Sequence, residues 1–331
     1  MTPPLASIIL LTYKQEAFVE EALRSLLAQD WPNFEIIISD DASPDGTLEV
    51  VHRTLASVPT SVPVRILSSE SNFGLASNWN RAVAAASGEV IIAAAGDDTS
   101  DPERVRRSME LFASDPECQA LYFGCRTMDA KGQILENPWR PLCQIQRRSL
   151  DAARLWKGFY FNGATAAYRS RLFRAFGPID PRCGTEDVSA VVRAQMLGSA
   201  VVHPHVLVNW RWHGANLSHG SQAAGVAEAI RIKAKLRQAR GAYHDGRQLA
   251  RDATTAASIS NRSPKVLAAV RRAGTRMSAL NRLKFHSLHP RSRWGVMCVL
   301  MGRLLACSDV PKAEGAICSV KAVARRLTSA R

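Results

Sequence analysis

The sequence predicts an α/β fold: a mostly parallel, Rossmann-like sheet with helices on both faces, followed by an α-helical C-terminal extension. Three observations carry this. Short apolar runs alternate with amphipathic helical segments four times in the first hundred residues, the pattern of successive βα units. The runs are rich in Ile, Leu and Val and lack polar alternation, as strands buried on both faces do. The charge is also divided along the chain. Residues 221–331 hold 22 Lys and Arg against 5 Asp and Glu, whereas residues 1–220 hold 21 against 24. That asymmetry predicts a boundary near residue 220, with a principal domain over 1–220 and a basic helical extension over 221–331.

Taken in order, residues 6–12 (ASIILLT) form a buried strand that runs into Tyr13, Lys14, Gln15 and Glu16. Residues 18–28 have helical spacing, with Phe18, Ala22, Leu23 and Leu26 on one face and Glu20, Glu21 and Arg24 on the other. A second strand, 34–39, ends in Asp40-Asp41-Ala42-Ser43-Pro44-Asp45-Gly46-Thr47, a turn rich in capping residues, and a helix follows over 48–56. The third strand is 64–67; Asn72-Phe73-Gly74 then leads into a helix over 76–86. The fourth strand, 90–95, stops abruptly at Gly96-Asp97-Asp98, and Pro102 suits the first turn of the next helix, 104–113.

Beyond it, 120–124 is strand-like and 128–133 a turn. Residues 136–150, with Pro138, Trp139 and Pro141, read as a loop over the site. Residues 159–168 read as a strand carrying Asn162-Gly163, and 171–176 as a short helix ending at Gly177. Gly184-Thr185-Glu186-Asp187 opens a helix through residue 196, 201–208 returns as strand, and 209–218 closes the domain. The extension begins with a basic helix over 224–240 and continues as helices separated by polar linkers such as 258–264. Within it, 291–307 has the Trp, aliphatic and Arg mix of an interfacial segment.

Several classes are excluded or disfavoured. Seven scattered cysteines, none in a C-x-x-C spacing, read as reduced thiols, neither a disulfide framework nor a zinc site. No leader pattern and no run of about 18 apolar residues is present, so we expect a cytoplasmic chain. Neither a G-x-G-x-x-G nor a P-loop follows the first strand, which leaves phosphate to a carboxylate-held metal. Ligands of open α/β sheets sit beyond the carboxyl ends of the strands, where Asp97 and Asp98 fall, and paired carboxylates suit Mg²⁺ or Mn²⁺. The same pair also reads as a helix N-cap with a solvated neighbour.

Four motifs in order resolve that ambiguity: Thr12-Tyr13 with Glu16, Asp40-Asp41-x-Ser43-x-Asp45-x-Thr47, Asn72-x-Gly74, and Ser87-Gly88-Glu89 leading to Gly96-Asp97-Asp98. On these residues the first hundred positions resemble a family 2 glycosyltransferase with the GT-A fold, of the kind found in bacterial polysaccharide synthesis. The resemblance implies that Asp41 accepts the imide N–H of uracil or thymine, Tyr13 packs on the base, and Thr12, Glu16, Asn72 and Asp97 belong to the nucleotide site. It implies that Asp98, Asp97 and His213 hold a divalent metal, Mn²⁺ or Mg²⁺, and that Arg211 contacts the diphosphate. Ala95 departs from it, standing where many members carry another Asp. Asp187 is the implied catalytic base and Glu186 its orienter.

The implied reaction is inverting transfer from a UDP- or dTDP-sugar to a hydroxyl of a glycan or lipid-linked acceptor, in capsule, lipopolysaccharide or exopolysaccharide synthesis. The basic segment 221–331 would rest on the anionic inner face of the cell membrane. The rivals are a nucleotidyltransferase of similar fold and a non-catalytic nucleotide-sugar-binding protein. A nucleic-acid binder is disfavoured, because nothing beyond net charge points to one.

Overall fold

The structure is a computed structural model that describes residues 2–135, 144–151, 162–213, 216 and 228–288. Four strands run parallel: β1 (Ala6–Thr12), β2 (Phe34–Asp40), β3 (Val64–Ser68) and β4 (Val90–Ala95), in the order β3-β2-β1-β4. The helices α1 (Val19–Leu27), α2 (Thr47–Ser57) and α3 (Leu75–Ala85) connect them. Their register aligns the strand ends. Thr12 pairs with Asp40 and Leu11 with Ala95, so β1, β2 and β4 finish together and their turns share one edge of the sheet.

The sheet then changes sense. After α4 (Arg104–Ser114) come β6 (Cys118–Met128), β8 (Ala166–Arg169) and β9 (Ser199–Arg211). β8 lies antiparallel between β4 and β6, and β9 runs parallel to β6. Two short strands fall where the sequence predicts loops: β5 (Thr99–Ser100) and β7 (Gln146–Arg148) each pair antiparallel with the long β9. The strand expected over 159–168 is shorter. Asn162 accepts the Ala164 N–H at 3.1 Å and starts a 3-10 turn over Gly163–Thr165, so pairing begins only at Ala166. Residues 159–161 and most of the expected loop, 136–143, lie outside the described residues.

Alternation along the strands builds two cores. Ile8, Leu10, Ile36, Ile38 and Ile92 pack with Leu23, Val51, Val105 and Phe112 of α1, α2 and α4. Ile9, Ile37, Ile91 and Ala93 face the other way, against Trp79 of α3, Leu172 of α5 (Arg171–Phe176) and Val191 of α6 (Glu186–Leu197). A sheet covered on both faces is why the strands read as continuous apolar runs.

The helices beyond residue 220 are longer than expected: α7 (Glu228–Ile259) and α8 (Pro264–Leu288). Leu249, Ala253 and Ala256 of α7 and Leu267 and Val270 of α8 join the second core. The first compact unit accordingly extends past residue 220 to Arg282; of the second, Leu283–Arg331, only the end of α8 is described. Segment 291–307 lies outside the described residues. Among the described residues no helix is long and apolar enough to cross a membrane.

α7 is joined to α6 by a fully buried ion pair. Arg193 Nε donates to Asp252 Oδ2 at 2.8 Å and Nη2 to Oδ1 at 3.2 Å, while Nη1 donates to Gly177 O at 2.8 Å. Removing one member of a buried pair strands the other charge. Arg193→Ala is expected to destabilise the fold by about 3–5 kcal/mol, whereas Arg193→Met with Asp252→Leu recovers most of that loss. Urea unfolding of the two variants checks this; equal losses would show that the charge pairing is not what holds α7.

Candidate active site

The turns after β1 and β2 interlock before they meet any ligand. Asp40 is fully buried and occupied: Thr12 Oγ1 donates to its Oδ2 at 2.8 Å, and Ser43 donates its N–H to Oδ1 and its hydroxyl to Oδ2. Glu16 Oε2 accepts the Gly46 N–H at 3.0 Å, and the Gln15 N–H reaches Thr47 Oγ1 at 2.8 Å. Lys14 and Ala42 both adopt φ of 58°, a left-handed backbone that non-glycine residues hold only where surrounding bonds impose it. Thr12 and Glu16 therefore brace the site. Tyr13 in the first turn is 40 % exposed, with the Lys14 ammonium 5.3 Å from its ring centroid.

Asp41, only 3 % exposed, faces the loop before α3. Its Oδ1 accepts the Phe73 N–H at 3.0 Å and the Ser69 hydroxyl at 3.3 Å, and its Oδ2 accepts the Gly74 N–H at 2.7 Å. Gly74 has φ of +90°, which is why glycine follows Asn72-Phe73. Asn72 itself is exposed. A carboxylate offers about four lone-pair positions, so Asp41 retains room for one more donor.

Gly96 brings β4 to the edge. A Cβ there would stand 2.2 Å from Gln15 Oε1 and 2.9 Å from Thr12 Cγ2, so any larger residue would have to displace the Gln15 side chain and press on Thr12. Gln15 Oε1 is itself a buried oxygen without a hydrogen-bond partner. Asp97 Oδ2 lies 3.0 Å from His213 Nε2, and Asp98 Oδ1 accepts the Arg211 N–H at 2.8 Å. The His213 ring stacks on Phe18, with centroids 4.8 Å apart, and its backbone N–H donates to Asn216 Oδ1 at 2.6 Å. Burial and then the neighbouring Asp97 charge push the Asp98 carboxyl well above its ordinary pKa.

Arg211 does not present its guanidinium as an open diphosphate contact. It is 1 % exposed, donating to Asp97 O at 2.8 Å, to the carbonyls of Asp129 and Ala130, and to the Glu21 carboxylate. It is a strut beneath the acids. The donor set of Asp97, Asp98 and His213 suits a hard divalent cation, since two carboxylates crowded behind protein contacts gain from a positive charge in front of them. Among the described residues no three or more His, Cys, Asp or Glu side chains are gathered as a metal-holding group.

The second acidic centre opens α6. Thr185 Oγ1 donates to Asp187 Oδ1 at 2.5 Å. Glu186 is 7 % exposed and its Oε2 is a buried atom without a hydrogen-bond partner. Gly163 lies against both: a Cβ on it would come 3.0 Å from Glu186 Oε1 and 3.3 Å from Asp187 Oδ2. Burial first, then the Asp187 charge, raises the Glu186 pKa to about 8, and burial raises that of Asp187.

Arg104 connects the two centres, a role that its sequence context does not announce. Its guanidinium, 1 % exposed, donates to Ala93 O of β4 at 2.6 Å, to Ala164 O of the turn over Glu186 and Asp187 at 2.8 Å, and to Ser100 Oγ at 2.9 Å. The available signal is its position in line with Ser108 and Phe112 on the buried stripe of α4. Glu21 offers none, since its partner Arg211 is 190 residues away.

The Glu186 shift has a stability consequence. Its folded pKa of about 8 exceeds the ordinary 4.5, so the folded state binds the extra proton between these values and stability falls as pH rises through that window. Glu186→Gln removes this loss. Its unfolding midpoint is expected to gain on that of the unsubstituted protein from about pH 5 to about pH 9; parallel curves in thermal melts would mean that Glu186 is ionised throughout.

Residues 7–177 match the family described as Glycosyl transferase family 2, just over half of the chain. EpsE of Bacillus subtilis is 30% identical over 129 residues, covering 39% of this chain and 46% of its own. Chondroitin synthase of Pasteurella multocida is 31% identical over 134 residues, covering 40% of this chain and 14% of its own. The chain thus spans under half the length of these curated relatives. Among solved structures, the mannosyltransferase PcManGT of Pyrobaculum calidifontis, in complex with GDP-Man and Mn²⁺, superposes with a TM-score of 0.53 at 18% identity, over 97% of this chain and 80% of that one. S. aureus TarS 1-349 in complex with UDP-GlcNAc gives 0.52 at 15% identity, over 88% and 92%. These structural likenesses establish the GT-A fold, and with the sequence match they show that the chain belongs to glycosyl transferase family 2.

Proposed function

We propose that the chain is a metal-dependent, inverting glycosyltransferase that moves a sugar from a UDP- or dTDP-sugar to a hydroxyl of a glycan or lipid-linked acceptor during surface-polysaccharide assembly. The observation that carries this reading is the coupling of two acidic centres, Gly96-Asp97-Asp98 and Glu186-Asp187, through the Arg104 guanidinium. A sugar transferred between them would meet a diphosphate-binding group on one side and a base on the other.

Asp41 and Tyr13 take the base of the nucleotide, with Thr12, Glu16 and Asn72 shaping its pocket. Asp97, Asp98 and His213 would hold the cation, which would supply charge stabilisation for a nucleoside diphosphate leaving group. The Mn²⁺ bound by PcManGT supports metal use on this fold. Asp187 removes the acceptor proton, oriented by Glu186 and with its pKa raised toward the working range. A single displacement from the face opposite the leaving group inverts the anomeric centre. The polysaccharide synthases among the relatives support a glycan acceptor. Lys265, Arg271, Arg272, Arg276 and Arg282 of α8 are exposed, in keeping with peripheral attachment of a cytoplasmic enzyme to an anionic inner leaflet through 221–331.

Calorimetric titration with UDP, dTDP, GDP and ADP, each with Mn²⁺, Mg²⁺ or EDTA, tests the donor half. Metal-dependent binding of UDP or dTDP alone is expected. Binding of GDP alone would overturn the Asp41 reading, and silence from all four would overturn the donor site. Asp98→Ala is expected to weaken metal-dependent nucleotide binding at least about tenfold without loss of fold. Asp187→Asn is expected to cut transfer by about 10²–10⁴-fold and leave nucleotide affinity unchanged; retained transfer rejects it as the base.

A further inference from the structure

Helix α7 carries Gly241, Asp245, Gln248 and Asp252 at helical spacing, all buried, and each meets the stretch that leads into Glu186 and Asp187 or the arginine that anchors it. Gln248 Oε1 accepts the Asp180 N–H at 2.9 Å. Asp245 Oδ1 accepts the Gly184 N–H at 3.0 Å. Gly241 lies on Gly184 so closely that a Cβ there would come 2.6 Å from Gly184 Cα and 3.0 Å from Gly184 N. Asp252 holds Arg193, which in turn holds the Gly177 carbonyl where the stretch begins. Arg251 adds a bond to Asp180 Oδ2 at 2.9 Å. One helix face therefore grips residues 177–184 at start, middle and end.

This grip is not what core packing alone requires. Asp245 is a buried carboxylate whose pKa burial raises to about 6, and a helix that merely covered the sheet would place an apolar side chain there. What the arrangement does achieve is a fixed Gly184, three residues before Asp187, with Thr185 between them donating to the Asp187 carboxylate. On the far side, Gly163 limits the carboxylates from the Arg104-anchored turn. Asp187 is thus clamped between that turn and α7.

We propose that α7 is a positioning element of the acidic centre, with Asp245 and Gly241 setting the place of Asp187 through the Gly184 backbone. The inference rests on the assignment of Asp187 as base. It gives the segment beyond residue 220 a part in the reaction, separate from any attachment by α8. A shift of about 1 Å in a reacting group costs up to about 100-fold in rate, so small changes at these two positions should be read out at Asp187.

The test uses the full-length chain. Asp245→Ala removes the acceptor of the Gly184 N–H; Asp245→Asn keeps an acceptor oxygen and drops the charge; Gly241→Ala pushes on Gly184. Amide hydrogen exchange of the peptide spanning 180–188 is expected to speed at least about tenfold in Asp245→Ala and Gly241→Ala, and to stay near its original rate in Asp245→Asn. Calorimetric affinity for UDP with Mn²⁺ is expected to be unchanged in all three. Turnover of the UDP- or dTDP-sugar used by the unsubstituted chain is expected to fall about 10- to 100-fold in kcat, with KM for donor unchanged, for the first and third, and to be largely restored by Asp245→Asn. Unchanged exchange and kcat in both folded variants would overturn the proposal, as would an equal loss in Asp245→Asn. Asp187→Asn in the same assays separates the two readings: if it retains turnover the base assignment fails, and if it is inactive while Asp245→Ala and Gly241→Ala keep full turnover, the α7 proposal alone fails. If Asp245→Ala does not fold, Gly241→Ala and Asp245→Asn decide by the same exchange measurement.

Discussion

The site depends on a cation buried behind it. Arg104 reaches from α4 to a β4 carbonyl, a β5 hydroxyl and the turn before β8, the last of them 60 residues from it in sequence. Such a guanidinium is costly to desolvate; burial lowers its pKa to about 10, so it stays charged at neutral pH. The cost is offset in part because Nη1 and Nη2 meet a hydroxyl and two carbonyls and because Asp98 lies close by, although the buried Nε has no partner. A Lys, with one point of charge on a flexible stem, could not hold three elements at fixed angles. This one side chain links the strand that ends in Asp97 and Asp98 to the turn that lies against Glu186 and Asp187.

Arg211 does the complementary task at the end of β9. It ties the end of β9 to the carbonyl of Asp97, to the loop carbonyls of Asp129 and Ala130, and to Glu21 on α1. Both arginines lie behind the carboxylates, which leaves Asp97 and His213 as the partly accessible members. Asp98 remains raised in pKa despite the two cations, because burial and its neighbour outweigh them. A site in that condition favours an incoming positive charge. Under the proposed function, protein cations fix the geometry while the bound cation answers the electrostatics.

What the sequence made legible was local. The four parallel strands, the helices between them and the acidic turns at their ends all follow from periodicity and capping within a few residues, and the register then brings the turns to one edge. What escaped was non-local or context-dependent. Arg104 and Glu21 look like ordinary polar helix positions, since no periodicity marks a partner sixty or 190 residues distant. Arg211 looks like an open cation because its neighbours in the fold are not its neighbours in the chain. β5 and β7 are too short to show a strand pattern and exist because β9 is long enough to pair with them. Net charge, finally, averages over a helix whose buried residues include specific polar ones: the basic residues of 221–331 conceal Gly241, Asp245, Gln248 and Asp252.

That division between local and non-local has a structural counterpart. The family match stops at residue 177, so it takes in the turns after β1, β2 and β4 and the loop before α3 but leaves out Glu186, Asp187, His213 and α7. The donor side is made of turns that carry their own braces, Thr12 with Asp40, Glu16 with Gly46 and Asp41 with Gly74, each a short bond between adjacent loops. Such a unit tolerates change elsewhere in the chain. On the Glu186-Asp187 side the Asp187 carboxylate is held by the Thr185 hydroxyl and by backbone N–H groups that include those of Val188 and Gly163, and Gly184 just before it is seated against α7. A change in the packing or sequence of α7 can therefore move the second acidic centre without disturbing the nucleotide pocket. Under the proposed function, α7 bears on the base and not on the turns that take the donor.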